Sequence, residues 1–157
     1  MKIIYKRLIF IYIMININPD SDDSNYRYKM PSIETRLAGR GNGSYTFLDN
    51  IDKISIAINT PTDILLNYIS RTVGSSYNLE KKTITGHYTN EEIQRYIFNF
   101  IRTFILCIKC NIPEVIPSVI GKKKKTQLQF KCSACGNLYQ LCVNGKNNLK
   151  TIDYMIK

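Results

Sequence analysis

Four cysteines carry the clearest chemistry in this chain. Cys107-Ile-Lys-Cys110 and Cys132-Ser-Ala-Cys135 are two Cys-x-x-Cys pairs, separated by Asn111 and the stretch from Ile112 to Lys131. Two intervening residues let both sulfurs of a pair reach one ion, and two matched pairs complete a tetrahedral four-thiolate zinc site. The tight turn of such a pair also aims backbone N–H groups at the sulfurs and softens their charge. Gly136 follows the second pair, where a knuckle favours φ > 0, and Asn111, the next best residue for that conformation, follows the first. Two surface disulfides or a redox pair form the competing reading, but a redox motif needs one pair and has no use for a matched second. We therefore expect one structural Zn2+ per chain, held by Cys107, Cys110, Cys132 and Cys135. The fifth cysteine, Cys142, is left over as a small packing residue.

A zinc with four cysteine ligands has no open coordination position, so its role is structural. The only histidine, His87, lies outside the cysteine cluster and reads as a loop residue. No Ser/His/Asp or Cys/His set is available, and no Gly-x-x-x-x-Gly-Lys-Ser/Thr phosphate loop occurs. Taken alone, these residues favour a binding module over an enzyme. The net charge of +10, from 22 Lys+Arg against 12 Asp+Glu, suggests an anionic partner such as RNA, bound through counterion release. Charge alone does not separate RNA from an acidic protein. The run Lys122, Lys123, Lys124, Lys125 is either a solvated loop tip or an RNA contact. Thiolates free for metal point to a reducing compartment, the cytoplasm. The basic start and the apolar run from Leu8 to Met14 imitate a signal peptide, but no small-residue cleavage site follows. The run is also too short to span a bilayer, so no membrane is expected.

The elements that must position these residues are legible in part. With 157 residues the chain holds one ordinary domain, or a compact domain plus a small metal-held module. Strands are expected around Ile33 to Leu37 and over Tyr45 to Leu48, flanking the glycine-rich loop Gly39-Arg40-Gly41-Asn42-Gly43. Asp49 or Asn50 is expected to cap a short helix carrying Ile51, Ile54 and Ile58. Thr62 would cap a second, with Leu65, Tyr68 and Ile69 at helical spacing and Gly74 as its stop. A hairpin is expected over Tyr77 to Thr85. Thr89-x-x-Glu92 has capping-box form and opens the longest helix, whose stripe of Ile93, Tyr96, Ile97, Phe100, Ile101 and Phe104 is core. That helix runs straight into Cys107, after which Val115 to Ile120, Thr126 to Phe130 and Leu138 to Val143 read as ribbon strands. The fold class is thus α+β, a small antiparallel sheet with helices, followed by a C-terminal four-cysteine zinc ribbon. The expected division is a flexible segment at 1–25, an α+β domain at 26–104, the ribbon at 105–145 and a tail at 146–157.

The string Tyr26-Arg27-Tyr28-Lys29-Met30-Pro31, the Gly39–Gly43 loop and the Thr89 helix leading into Cys-x-x-Cys resemble the N-terminal domain of eukaryotic translation initiation factor 5. The resemblance covers roughly Met14 to Leu141, and its wider fold family includes the beta subunit of initiation factor 2. It implies a GTPase-activating accessory factor, not itself an enzyme. Such a factor promotes GTP hydrolysis by the gamma subunit of initiation factor 2 when initiator tRNA meets a start codon of mRNA on the small ribosomal subunit. In that family the arginine matching Arg27 is the proposed arginine finger, delivered in trans to neutralise charge on the transferred phosphoryl group. The competing role for Arg27 is a pairing with a carboxylate at a strand entrance. The loop of Gly39, Arg40, Gly41, Asn42 and Gly43 would approach the codon–anticodon region, with Arg36 and Arg40 on phosphate or ribose. An ordinary hairpin loop is the alternative. Three positions depart from the family: Asn25 stands where an aromatic is usual, and Tyr45 and Asn67 stand, by ungapped counting, where two lysines linked to activation fall. The alternative function is a ribosome- or RNA-binding zinc-ribbon protein, or a decoy resembling the beta subunit, without GTPase activation. Alignment of Met14 with the family's usual start suggests that residues 1–13 are an annotation extension.

Overall fold

The computed structural model describes residues 13–121, 127–141 and 146–156. Cys142, the Lys122–Lys125 run and the apolar stretch before Ile13 lie outside these residues. Strands β1 (Met14–Asn16) and β2 (Lys29–Pro31) pair antiparallel, with Ile15 opposite Met30. A second sheet contains β3 (Thr35–Ala38), β4 (Tyr45–Leu48), β5 (Tyr77–Asn78) and β6 (Thr83–Thr85), in the order β3-β4-β6-β5. Helices α1 (Ile51–Ala57) and α2 (Thr62–Thr72) connect β4 to β5, and α3 (Asn90–Phe100) follows β6. The ribbon comprises β7 (Val115–Ile120), β8 (Gln127–Cys132) and β9 (Leu138–Gln140), all antiparallel. Helix α4 (Lys146–Ile156) ends the described chain. The fold is α+β with small antiparallel sheets and a four-cysteine ribbon.

Helix α3 positions the cysteine site. The Thr89 hydroxyl accepts the Glu92 N–H at 3.2 Å, and the Glu92 carboxylate accepts the Thr89 N–H at 2.9 Å, which satisfies two otherwise orphaned donors. Its stripe is buried as expected, with Ile93, Ile97, Phe100 and Ile101 fully covered. They meet Leu65, Leu66 and Ile69 of α2 and Ile51 and Ile54 of α1 in one core. Phe100 lies 5.1 Å from the rings of both Tyr68 and Phe104. The helix then loosens into a π-turn over Ile101–Ile105, closed by the Leu106 N–H on the Ile101 carbonyl at 2.9 Å. The extra residue in that turn keeps Phe104, Ile105 and Leu106 on the buried side while aiming Cys107 at the first knuckle.

Three local readings change. Asn50 stands at the start of α1, yet its side chain makes no cap. It is only 2% exposed and instead accepts the Glu34 N–H at 2.9 Å and donates to the Ser32 carbonyl at 2.7 Å, pinning the chain between β2 and β3. Thr62 is the first residue inside α2, not its cap, and its hydroxyl donates to Asp52 at 2.7 Å. Residues 146–156, read as a tail, form α4 with Thr151 buried and Met155 and Ile156 packed on the core. The Tyr154 hydroxyl donates to Asp63 on α2, which also accepts from Tyr77. Residues 13–25, within the 1–25 segment expected to be flexible, make contacts with the rest of the chain. Strand β1 pairs with β2, Ile17 is buried, and Asp20 binds both Nε and Nη2 of Arg102 at 3.1 and 2.7 Å. The Arg102 guanidinium holds the Asp20 carboxyl below its usual range.

Candidate functional site: the cysteine knuckles and the arginine segments

The two cysteine pairs fold into matching turns. In the first, the Cys107 N–H donates to the Ile112 carbonyl and the Asn111 N–H to the Cys107 carbonyl; in the second, Cys132 and Asn137, then Gly136 and Cys132, repeat both bonds. Asn111 has φ 56° and Gly136 φ 72°, the left-handed conformation this turn requires. The repeat places all four Sγ atoms within 4.8 Å of one another. Cys107 and Cys135 are 3.7 Å apart, and Cys110 and Cys132 are 3.6 Å apart. A disulfide requires about 2.05 Å, so these are free thiols poised around a common centre. Four sulfurs around a zinc at about 2.3 Å lie about 3.8 Å apart along the tetrahedron edges, and the observed separations fit that figure.

The electrostatics also ask for a cation. Burial pushes the Cys107 thiol up, but the backbone N–H groups of Cys110 and Lys109, together with hydrogen bonds from the Cys110 and Cys135 thiols, outweigh it and bring it to about 7. The Lys109 amide lies 3.4 Å from that sulfur. Burial and the three neighbouring thiols drive Cys110 up to about 12. Four sulfurs gathered this closely repel one another once ionised, and a bound cation offsets that repulsion. Tyr139, stacked on Phe130 at 5.8 Å, rises to about 12 through burial and the adjacent sulfurs. The four cysteines could hold a metal ion, as the sequence pattern anticipates.

Arg27 is exposed and lies on the segment leading into β2, its Cζ 5.6 Å from the Tyr28 ring centroid. No carboxylate among the described residues pairs with it, which disfavours the strand-entrance ion pair. Its neighbours are anchored. The Tyr28 hydroxyl donates to Glu114, whose backbone carbonyl accepts the Ser133 N–H at 2.8 Å from the second knuckle. Tyr26 packs edge-on against Tyr28 at 5.7 Å and buries its hydroxyl. Arg27 thus projects from a segment seated against the cysteine ribbon. Nothing in the local pattern of Tyr28 or Glu114 announces their contact, which joins residues 86 apart.

The glycine loop lies elsewhere, at the tip of the β3–β4 hairpin, where Gly41–Gly43 form one 3-10 turn. Gly39 has φ 80°, and a Cβ there would stand 2.2 Å from the Gly43 carbonyl oxygen, so only glycine closes this loop. Arg40, Gly41, Asn42 and Gly43 are all exposed. Arg36 is engaged: it reaches Asp49 at 3.1 and 3.3 Å, and its Cζ sits 4.3 Å above the Phe47 ring centroid. His87 is exposed in the loop after β6. None of the described helices is long and apolar enough to cross a membrane.

A family model for a domain found in initiation factor 2B and initiation factor 5 matches residues 18–138. The chain belongs to this family. Among curated relatives, it is 30% identical over 139 residues to the probable eukaryotic translation initiation factor 5 of Schizosaccharomyces pombe, covering 86% of this chain and 34% of that protein. It is 32% identical over 138 residues to eukaryotic translation initiation factor 5 of Drosophila melanogaster, covering 85% and 29%. The factor of Saccharomyces cerevisiae is 35% identical over 126 residues, covering 78% and 30%. The chain spans about a third of the length of these relatives. The matched family segment runs from just before the Asp20 anchor to just past the last knuckle and takes in Arg27, the glycine loop and all four cysteines.

Proposed function

We propose that this chain acts in translation initiation as an accessory factor that promotes GTP hydrolysis by the gamma subunit of initiation factor 2, on the small ribosomal subunit, when initiator tRNA meets a start codon. Family membership supports the setting, and one observation carries the role of Arg27: an exposed guanidinium, without a carboxylate partner among the described residues, on a segment anchored by Tyr28 and Glu114. A guanidinium delivered in trans offers a planar fork of donors to the oxygens of a phosphoryl group in transfer. The chain itself does no chemistry; its part is to place that fork. Zn2+ on Cys107, Cys110, Cys132 and Cys135 would supply structural closure of the two knuckles, against which the Arg27 segment rests. RNA contact is assigned to the loop Gly39, Arg40, Gly41, Asn42, Gly43 and to Lys122, Lys123, Lys124 and Lys125, with Arg36 stiffening the hairpin beneath. The setting is cytoplasmic. The test is GTP hydrolysis in reconstituted initiation complexes with and without the chain; acceleration supports the reading, and an unchanged rate contradicts it.

A second reading, a factor that occupies the same RNA surface without activating a GTPase, draws support from Asn67. In place of a lysine, this residue is 6% exposed and spends its side-chain oxygen on the Arg71 Nε at 2.7 Å. In the same assay it predicts bound complexes with no gain in hydrolysis.

A further inference from the structure

The outer row of the β3–β4 hairpin carries an aromatic side chain whose surroundings suit a flat ligand. Tyr45 is 37% exposed and begins β4, two residues beyond Gly43. Its cross-strand neighbours are Ala38 on β3 and Thr85 on β6, both too small to cover a phenol ring. The next residue on the same face, Phe47, meets Tyr45 edge-on at 5.3 Å and 73°. Phe47 is itself covered by the Arg36 guanidinium, which Asp49 fixes through two nitrogens. The backbone below is held by the Gly86 N–H on the Ser44 carbonyl at 2.9 Å and by the Thr46 hydroxyl on the Gly86 carbonyl at 2.7 Å. The ring is therefore pre-set by Arg36, Phe47 and the sheet, which lowers the ordering cost of any ligand that stacks on it. Beside it, at the same hairpin tip, stands exposed Arg40 on a loop whose glycines let a ligand backbone come close.

We propose that Tyr45 is a base-stacking platform for single-stranded RNA, with Arg40 taking the adjoining phosphate. This deepens the RNA reading above and rests on it. Single-stranded sites combine positive charge along the backbone with aromatic faces for unpaired bases, and the chain's charge of +10 matches such a partner. The two residues do different work. Stacking contributes affinity without releasing counterions, whereas a phosphate contact contributes a slope of about 0.7 in log affinity against log salt on a single strand.

The experiment measures binding of the full chain to a labelled short oligoadenylate, and to an RNA duplex of equal length, across a salt series. Tyr45→Ala should weaken single-strand binding by about five- to hundredfold with an unchanged salt slope, the range set by loss of one base stack. Tyr45→Leu, which keeps a bulky strand residue but no flat face, should weaken it comparably. Neither should alter duplex binding, and metal content and circular dichroism should match wild type. Arg40→Gln should lower the salt slope by about 0.7. If Tyr45→Ala and Tyr45→Leu bind oligoadenylate as wild type does while Arg40→Gln binds more weakly, the platform is wrong and the RNA reading stands. If wild type binds neither strand form at low salt, the RNA reading fails and takes the platform with it.

Discussion

Replacing Phe100 by alanine probes the link between the helical core and the cysteine site. Phe100 is fully buried at the end of α3, between the Tyr68 and Phe104 rings, one residue before the π-turn that aims the chain at Cys107. Truncating such a phenylalanine costs about 3–5 kcal/mol in transfer and cavity energy. The upper part of that range is expected here, because two ring pairs each add about 0.5–1.5 kcal/mol beyond area. At this chain length each kcal/mol lowers Tm by roughly 2–4 °C, so a drop on the order of 8–16 °C should follow for a loss of about 4 kcal/mol. Urea titration with wild-type and variant m-values compared is the assay, since a shared m isolates stability from changes in compactness. Phe100→Leu, which refills much of the space, should recover more than half of the loss. A Phe100→Ala loss below about 1 kcal/mol with an unchanged m would refute the claim that this stripe is the core on which the metal knuckle is mounted.

Further outcomes follow from the same contacts. Cys142→Ser should retain one metal ion per chain while Cys132→Ser loses it, measured as bound metal after gel filtration; loss in the Cys142 variant would overturn the ligand set. Tyr28→Phe should leave metal content unchanged yet speed tryptic cleavage after Arg27 several-fold, because the bond to Glu114 no longer holds the segment closed. Equal cleavage would show that the anchor does not restrain Arg27. Thr89→Ala should destabilise the chain by about 1 kcal/mol through loss of the capping box, read from the urea midpoint at unchanged m.

What the sequence makes legible is local or periodic. The Cys-x-x-Cys pairs, the Thr89–Glu92 box and the stripe from Ile93 to Phe104 each encode their structure within a few turns of chain, and each is found in place. Asn50 misleads because a side chain with both a donor and an acceptor suits a cap and a bridge equally well; only the position of Ser32 and Glu34 decides. Helix α4 opens Lys-Asn-Asn, and its apolar positions Ile152, Met155 and Ile156 gain a partner only once α2 is nearby, while Leu149 stays exposed. One contact of residues 13–25, the pair of Asp20 with Arg102, joins residues 82 apart, so no local pattern carries it. Arg36 is expected on RNA; its contacts with Asp49 and Phe47 are set by strand register, which no local pattern announces.

The most direct test of the account is the rate of GTP hydrolysis in reconstituted initiation complexes supplied with wild type, Arg27→Ala or Arg27→Lys. Arginine fingers accelerate hydrolysis by about three to five orders of magnitude, so Arg27→Ala should abolish most of the stimulation at unchanged fold and metal content. Arg27→Lys should rescue little, because an ammonium lacks the planar fork. Stimulation by Arg27→Ala equal to that of wild type would contradict the central claim.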